Sequence, residues 1–297
     1  MRARSAYALS GALALAAWPF AEPQLPVLRR RDVPVLPTGA SRLTVLHLSD
    51  LHLLGRHRRR AAWVRALGRL RPDLVVSTGD HLSAMDALPL LLHALGGFDA
   101  PAVFVPGNND YYQPVRPRPQ AYLCGGGPLR RAPDLPWSQV AAGLRSAGWT
   151  DLTSRRTVVE LRGLPVTLTG TDDAHLRRDH YALVAGPVDG LGLGLTHTPQ
   201  RRLLDAFAGD GHALVLAGHT HGGQLRLPLA GAVVTNCDLS RSRARGLSRS
   251  GAGWLHVSAG LGTSPYLPVR LCCRPEATLL TLLPADAWAA GGPTAVR

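Results

Sequence analysis

Lysine is absent from this 297-residue chain, so arginine supplies the positive side chains behind its formal net charge of +13. Abundant arginine together with alanine, glycine and proline is typical of GC-rich coding, so the charge does not by itself identify an anionic partner. Two interpretations stay open: a solvated basic surface, or attraction to phosphate-rich membranes and polyanionic substrates. The sequence contains no recognisable nucleic-acid-binding module, which argues against a nuclease.

Cysteine is scarce, and its spacing argues against a thiolate site. The four cysteines are Cys124, Cys237 and the adjacent pair Cys272 and Cys273. No two of them are separated by the two residues that thiolate metal sites and redox motifs use. We expect buried free thiols. They do not identify the compartment, because four cysteines permit disulfides without requiring any.

Long apolar runs are also absent, except at the N-terminus. Arg2 and Arg4 precede an apolar stretch from Ala6 to Phe20. Its length of about 15 residues is short of the ~20 that span a bilayer, which favours a signal peptide over a transmembrane helix. Residues 1–21 are therefore predicted to be a signal peptide or an N-terminal membrane anchor, with a buried N-terminal helix as the alternative.

The rest of the chain divides by composition. Residues 22–41 are rich in proline and arginine and are predicted to be a linker, whereas residues 42–285 have the apolar content of a folded domain. Residues 286–297 are predicted to be a C-terminal tail. Helical spacing is present at 59–70 and 86–95, and it alternates with short apolar runs, which indicates an α/β fold. The runs predict buried strands at 43–48, 74–77, 102–105, 166–169, 191–195 and 214–217.

Two stretches depart from this alternation. Residues 111–137 are crowded with proline, glycine and arginine and show no periodicity, which predicts a long irregular loop. After Gln224, short strand-like segments at 225–229, 232–235, 254–258 and 278–282 predict a second, more antiparallel sheet.

Polar side chains follow five of the predicted strands, at the point where each strand ends. They are Asp50 and His52 after the first strand, Asp80 after the second, Asn108 with Asn109 and Asp110 after the third, His197 after the strand at 191–195, and His219 with His221 after the last. Strand ends in α/β sheets are where sites are built, so we expect these side chains to lie together.

The residue types at these strand ends indicate a metal site. Histidine nitrogens, carboxylates and an amide oxygen suit divalent ions such as Zn, Mn, Fe or Co. A carboxylate can bridge two such ions. Two bridged metal ions can clamp a phosphoryl group and lower the pKa of a water molecule between them. A lone histidine is more often a core or surface group, so it is the joint placement that favours metal ligation. The residues predict two divalent ions and phosphate ester hydrolysis.

The ordered motifs resemble those of the calcineurin-like metallophosphoesterase superfamily over roughly residues 42–285. They are Asp50-Leu-His52, Gly79-Asp80, Gly107-Asn108-Asn109-Asp110, His197 and Gly218-His219-Thr-His221. Together with the N-terminal apolar segment they resemble the YkuE-like bacterial branch. The resemblance implies a four-layer α-β-β-α sandwich with the site where the sheet ends converge. It also implies two ligand sets bridged by Asp80: Asp50, His52 and His221 for one ion, and Asn108, His197 and His219 for the other.

The third motif departs from the family pattern. It usually reads Gly-Asn-His-Asp or Gly-Asn-His-Glu, and its histidine is thought to contact phosphate and help to protonate the leaving group. Asn109 occupies that position here. An amide can donate a hydrogen bond to a phosphoryl oxygen but cannot deliver a proton near neutral pH. We therefore expect Asn109 to favour leaving groups that need little protonation, and Asp110, the other candidate catalytic residue, to hydrogen-bond neighbouring groups.

Two functions follow from these expectations. The first is a dinuclear-metal-dependent phosphoesterase that hydrolyses a phosphodiester or pyrophosphate bond, including a lipid-linked one. The alternative is a metal-binding regulatory protein with little or no catalytic activity. The predicted location is membrane-associated or exported, in the bacterial cell envelope, in preference to the cytoplasm. Asp172, Asp173 and His175 are interpreted either as groups that line the cleft or support a ligand, or as purely structural residues.

Overall fold

The strands form two six-stranded mixed sheets, in a computed structural model that describes residues 17–114, 135–263 and 266–286. The first sheet has the order β1 (Val27–Leu36), β14 (Glu276–Pro284), β2 (Leu43–Leu48), β3 (Leu74–Thr78), β4 (Ala102–Val105) and β5 (Thr150–Asp151). Strands β2 to β5 run parallel, and β14 pairs antiparallel with β2. The parallel strands therefore end at one edge of the sheet.

The second sheet repeats this arrangement around another set of parallel strands. Its order is β12 (Gly246–Ser250), β13 (Gly253–Val257), β9 (Leu214–Ala217), β8 (Leu191–Leu195), β7 (Leu164–Gly170) and β6 (Arg155–Leu161). Strands β7, β8, β9 and β13 are parallel, and β6 and β12 pair antiparallel at the two edges. A separate two-stranded ladder joins β10 (Arg226–Leu227) to β11 (Gly231–Ala232).

Helices cover the outer face of each sheet. They are α1 (Arg58–Ala66), α2 (Leu88–Leu95), the one-turn α3 (Asn108–Tyr111), α4 (Trp137–Ser146) and α5 (Arg201–Gly209). The predicted helices at 59–70 and 86–95 are α1 and α2, each extended by a 3₁₀ turn at Leu67–Leu70 and Met85–Ala87. Alternation along each strand explains the layers, because successive side chains point to opposite faces.

Three apolar cores separate the four layers. Val45 and Val76 of the first sheet pack with Leu193 and Leu216 of the second between the two sheets. The outer face of the first sheet packs on α1, α2 and α4, and Phe207 of α5 packs on the outer face of the second. The molecule is therefore the four-layer α-β-β-α sandwich that the motifs implied.

The predicted linker at 22–41 contains a strand. β1 pairs along its length with β14, and it buries Val33 and Leu36. Pro34, which has no N–H to donate, is tolerated because β1 is an edge strand and its register shifts after that residue. The linker prediction was wrong here because the charged run Arg29–Asp32 hides the strand pattern.

The predicted second sheet after Gln224 was also wrong. β13 extends the parallel strands of the second sheet, whereas β14 inserts between β1 and β2 of the first. Among the described residues, only β10 and β11 form a ladder outside the two large sheets. The sequence around these strands resembles a local antiparallel sheet, but their partners lie far away in the chain.

Some predictions fall outside the described residues. They include residues 1–16 of the N-terminal segment, residues 115–134 of the predicted loop, Cys124 and most of the C-terminal tail. Within the described ranges, no helix combines the length and the apolar content needed to cross a membrane. Of the described cysteines, Cys273 is buried, Cys237 is half-buried and Cys272 is exposed, so burial of all the thiols was wrong for Cys272.

Candidate metal centre

The predicted ligands converge where the parallel strands of the two sheets end. Asp50 and His52 follow β2, Asp80 follows β3, and Asn108 begins α3 directly after β4. The remaining ligands come from the second sheet: His197 follows β8, and His219 with His221 follows β9. Both sheets therefore contribute to one site.

Five of these seven residues have a left-handed backbone conformation. The φ angles are 49° at Asp50, 42° at His52, 54° at Asp80, 67° at His219 and 50° at His221. Side chains of L-residues disfavour this region by about 1 kcal/mol or more, and such residues persist where surrounding structure holds them, often at functional sites. Backbone hydrogen bonds hold these turns, including Asp50 N to Gly79 O at 3.0 Å. No sequence pattern predicts these left-handed backbone conformations.

Four residues form a compact cluster of ligand atoms. The candidate ligand atoms of Asp50, His52, Asp80 and His221 all lie within 4.8 Å of one another. His52 Nε2 is 3.1 Å from His221 Nε2 and 3.3 Å from Asp80 Oδ2, and His221 Nε2 is 3.4 Å from Asp50 Oδ1. Two imidazoles and two carboxylates at this spacing form a donor set that suits a divalent cation.

Among the other predicted ligands, two buried atoms that could coordinate a metal have no hydrogen-bond partner among the described residues. They are Asn108 Oδ1 and His197 Nε2. Buried polar atoms are normally satisfied, so such a pair requires an explanation. The opposite nitrogen of His197, Nδ1, donates to Thr78 O at 2.6 Å, which leaves Nε2 as the nitrogen able to ligate. His219 Nε2 donates to Asn236 O at 3.2 Å, which leaves its Nδ1 as the nitrogen able to ligate.

Burial and charge determine the protonation of these groups. Burial lowers the pKa of His52 and His221, and it lowers that of His219 to about 3. These imidazoles are therefore neutral, which is the form that binds a metal. Burial also opposes charge on His197, but the Asp80 carboxylate raises the pKa of His197 well above its usual value. Despite its own burial, Asp80 has a pKa well below the usual range because His197 lies beside it.

A chain of hydrogen bonds supports Asp50 from within the core. Ser49 Oγ donates to Asp50 Oδ2 at 2.6 Å, and Thr78 Oγ1 donates to Ser49 Oγ at 2.7 Å. His47 Nε2 lies 2.9 Å from Thr78 Oγ1, and His47 Nδ1 lies 2.9 Å from His256 Nδ1. Because the threonine proton is already donated to Ser49, His47 Nε2 must donate and its Nδ1 must accept from His256. Each hydrogen bond in this series is therefore donated in the direction of Asp50.

The two candidate catalytic residues occupy different surroundings. Asn109 is half-buried and donates to both Asp80 oxygens, from its backbone N at 2.8 Å and from Nδ2 at 2.7 Å. Asp110 is fully buried and accepts from the backbone N–H groups of Asp80, His81 and Gly107 at 2.8–2.9 Å, and from His81 Nδ1 at 2.9 Å. Asp110 thus holds the second and third motifs together.

Arg270 is a supporting residue that sequence reasoning missed. Its side chain is fully buried, and it donates to the carbonyl oxygens of Ala259 at 2.8 Å, Gly262 at 2.6 Å and Cys273 at 3.1 Å. A Cβ on Gly262 would lie 2.6 Å from that of His52, so this loop packs directly against a predicted ligand. One arginine in an Arg-rich chain has no local signal that could have identified it.

The cleft beside the second ligand set contains the remaining candidates. The His175 ring packs on that of His219 with centroids 5.0 Å apart, and it lines a cavity of about 680 Å³ with Arg177 and Arg202. Asp173 accepts from Thr198 Oγ1 at 3.0 Å and from a backbone N–H, and it supports the residue next to His197. His175 is therefore the member of this group that faces the cleft.

The chain is similar in sequence to one protein family and to several known proteins. The sequence model of the calcineurin-like phosphoesterases matches residues 43–223. Phosphodiesterase YaeI of Escherichia coli (strain K12) is 28% identical over 268 residues, covering 89% of this chain and 91% of that protein. The uncharacterized metallophosphoesterase YkuE of Bacillus subtilis (strain 168) is 24% identical, covering 84% and 82%. The solved structure of phosphopantetheinyl hydrolase from Mycobacterium tuberculosis is 13% identical with a TM-score of 0.44, covering 80% and 96%.

Proposed function

Because the chain belongs to the calcineurin-like phosphoesterase family and is a metal-dependent phosphoesterase, we propose that it hydrolyses a phosphodiester or pyrophosphate bond with two divalent ions. One observation carries this proposal. Asp80 Oδ2 lies 3.3 Å from His52 Nε2 and 3.5 Å from His197 Nε2, so a single carboxylate oxygen contacts a member of each predicted ligand set. That is the position a bridging ligand requires.

The residues fit the group that they would hold. Divalent ions bound here would supply a nucleophilic hydroxide near neutral pH and stabilise charge on the phosphoryl oxygens. One set would comprise Asp50, His52 and His221, with Asp80 shared. The other would comprise Asn108, His197 and His219, where the two unpartnered donor atoms lie.

The leaving group is constrained by Asn109. Its side-chain amide donates to Asp80 Oδ2 at 2.7 Å, and it can hold an oxygen but has no proton to transfer near neutral pH. Substrates whose leaving oxygen is already a weak base are therefore favoured, which points to pyrophosphates and activated diesters over alkyl monoesters. The relative from E. coli is named a phosphodiesterase, which supports the diester alternative.

The cavity beside His219 gives the substrate room on one side of the centre. Its lining includes His175, Arg177 and Arg202, and it also includes Asp179, whose carboxylate pairs with Arg202. A phosphate ester with a polar substituent matches this lining of hydrogen-bond donors and acceptors. We propose that the part of the substrate beyond the reacting phosphorus occupies this cavity, whether or not the ester is lipid-linked.

Metal content and turnover measured on one preparation test the function. We expect two Mn or Zn ions per chain and hydrolysis of bis-p-nitrophenyl phosphate that chelation abolishes and metal restores. Asp80→Asn removes the bridging charge, and we expect it to lose metal and activity together. Asp205→Asn, on helix α5 and outside both ligand sets, is the matched control and should retain both. A loaded protein inert toward diesters, pyrophosphates and monoesters would instead indicate the regulatory alternative.

Leaving-group dependence tests the finer part of the proposal. A pyrophosphate and an alkyl phosphate with the same organic group differ mainly in the basicity of the departing oxygen. We expect faster turnover of the pyrophosphate, because Asn109 cannot protonate the alkoxide. Faster cleavage of the alkyl phosphate would contradict this part while leaving phosphoesterase activity itself intact.

A further inference from the structure

Exposed apolar side chains are concentrated in one part of the surface. Eight large apolar side chains are exposed among the described residues. Two of them lie apart from the rest: Val158 is on β6, and Leu183 is in the turn between β7 and β8. The other six fall in three short segments, at Trp18, Phe20, Leu25, Leu227, Leu229 and Tyr266. Scattered exposed apolar residues are ordinary, whereas a contiguous group marks an interaction surface.

Backbone hydrogen bonds join the three segments to one another. Arg270 N donates to Pro19 O at 2.9 Å, which attaches the N-terminal turn to the segment that contains Tyr266. On the other side, Arg226 N donates to Leu271 O at 2.9 Å, which attaches the turn that contains Leu227 and Leu229. We call Trp18, Phe20, Leu227, Leu229 and Tyr266 the apolar rim.

A buried carboxylate fixes the N-terminal part of this surface. Glu22 is only 2% exposed, and it accepts from Trp18 Nε1 at 2.9 Å and from the backbone N–H groups of Cys272 at 3.0 Å and Cys273 at 2.5 Å. The turn that carries Trp18 and Phe20 is therefore part of the folded domain. Even so, Phe20 remains 63% exposed and Leu229 is as exposed as in an extended peptide, at 110%.

The rim adjoins the metal centre. Cys273 Sγ donates to His221 O at 3.3 Å, and the Arg226 guanidinium donates to Gly222 O at 2.9 Å. The loop that leaves the predicted ligand His221 continues directly into Leu227 and Leu229. Whatever contacts the rim therefore lies beside the ligand set of Asp50, His52 and His221.

Charge and sequence indicate what contacts the rim. Segments 17–26, 222–235 and 266–274 contain Arg226, Arg274 and the fully buried Arg270, against one acid, the buried Glu22. Arg274 is exposed and close to the rim, since its Nε donates to Leu25 O at 2.9 Å. Trp18 and Phe20 also continue the apolar run that begins at Ala6, behind Arg2 and Arg4. Apolar side chains with an aromatic pair and flanking arginines match the interface of an anionic bilayer.

We propose that the apolar rim docks the folded domain on an anionic lipid bilayer. Leu227 and Leu229 insert into the interface, Trp18 and Tyr266 lie at headgroup depth, and Arg274 contacts lipid phosphates. Docking requires no hydrolysis, so it holds or fails independently of the proposed function. The metal-free full-length chain is therefore the protein to test.

Vesicle binding of paired variants provides the test. The full-length chain is sedimented with phosphatidylcholine vesicles that contain or lack phosphatidylglycerol. Leu227→Ser with Leu229→Ser should weaken binding by about tenfold or more, because two leucine side chains lose their apolar partner. Val158→Ser with Leu183→Ser removes two exposed apolar side chains elsewhere and should bind as the wild type does. We expect weaker binding of the wild type to vesicles without phosphatidylglycerol.

Three results would overturn the proposal. One is unchanged binding of the rim variant, which would mean that the N-terminal run alone holds the chain. Another is an equal loss in the Val158 and Leu183 control. The third is equal binding to the two vesicle types. Leu229→Trp and Leu183→Trp give a second measurement that does not depend on weakened affinity. Brominated lipid should quench the added tryptophan fluorescence at position 229 and not at 183, and the reverse pattern would contradict docking through the rim.

Discussion

Ser49→Ala tests whether the buried hydrogen-bond chain supports metal binding. Ser49 is fully buried, and its hydroxyl links Thr78 Oγ1 at 2.7 Å to Asp50 Oδ2 at 2.6 Å. The variant removes one hydrogen bond to a carboxylate, which is worth about 1.5–3 kcal/mol, and leaves the Thr78 proton without its acceptor. We expect the free energy of unfolding of the metal-free protein to fall by about 2–4 kcal/mol.

The same change should weaken metal binding. A hydrogen bond of this strength corresponds to about 10- to 100-fold in affinity, which matches the usual effect of removing a group that supports a metal ligand. Chelator competition with Zn or Mn measures the affinity, and denaturant unfolding measures stability. We expect both metal affinity and stability to fall, and the loss of affinity to be confined to the ion held by Asp50.

A matched variant separates this effect from the general loss of a buried hydroxyl. Thr169 is fully buried, and its Oγ1 has no hydrogen-bond partner among the described residues. Thr169→Val should leave metal affinity unchanged and keep or raise stability, because it removes an unsatisfied polar atom. If Ser49→Ala binds metal as tightly as Thr169→Val does, the hydrogen bonds through Ser49 do not support metal binding by Asp50.

Three further predictions concern single residues. Asn109→His restores a proton donor, so turnover of alkyl phosphates should rise by about 100-fold relative to p-nitrophenyl esters; an equal change for both would refute the leaving-group argument. Gly107→Ala places a Cβ against the Asp80 carboxylate and 2.8 Å from His197 Cε1. Activity should fall by about 100-fold with the circular dichroism spectrum retained, and full activity would contradict the packing. Burial lowers the pKa of His256 to about 4, so the unfolded chain takes up this proton first as the pH falls. The contribution of His256 to stability should be complete above the unfolded pKa of about 6.5 and decline by about 1.4 kcal/mol per pH unit toward pH ~4. His256→Asn should therefore show a shallower pH dependence of denaturant unfolding in the metal-free protein, and an identical slope would contradict it.

The strands that carry the ligands were predictable because their signal is local. The runs at 43–48, 102–105, 191–195 and 214–217 are buried on both faces, and the structure ends these strands where the apolar residues end. The ligands are also local, since each follows its strand within a few residues. The edge strands β1 and β6 escaped because their exposed positions carry arginine, which hides the alternation.

What could not be predicted depends on residues distant in the chain. His47 and His256 are 209 residues apart, and nothing near either histidine indicates the other. The position of β14 between β1 and β2 is likewise a matter of partner choice, which the composition of the strand does not determine. Arg270 binds carbonyl oxygens, which every residue has, so its partners leave no trace in the sequence. Left-handed turns at Asp50 and His52 follow from tertiary packing in the same way.

Diffraction from crystals grown with excess Mn²⁺, with anomalous scattering used to locate the ions, tests the proposed bridge most directly. We predict two ions about 3.5–4 Å apart, both contacted by the carboxylate of Asp80. Asp50, His52 and His221 should surround one ion, and Asn108, His197 and His219 the other. A single ion, or two ions of which Asp80 contacts only one, would contradict a dinuclear centre in this protein.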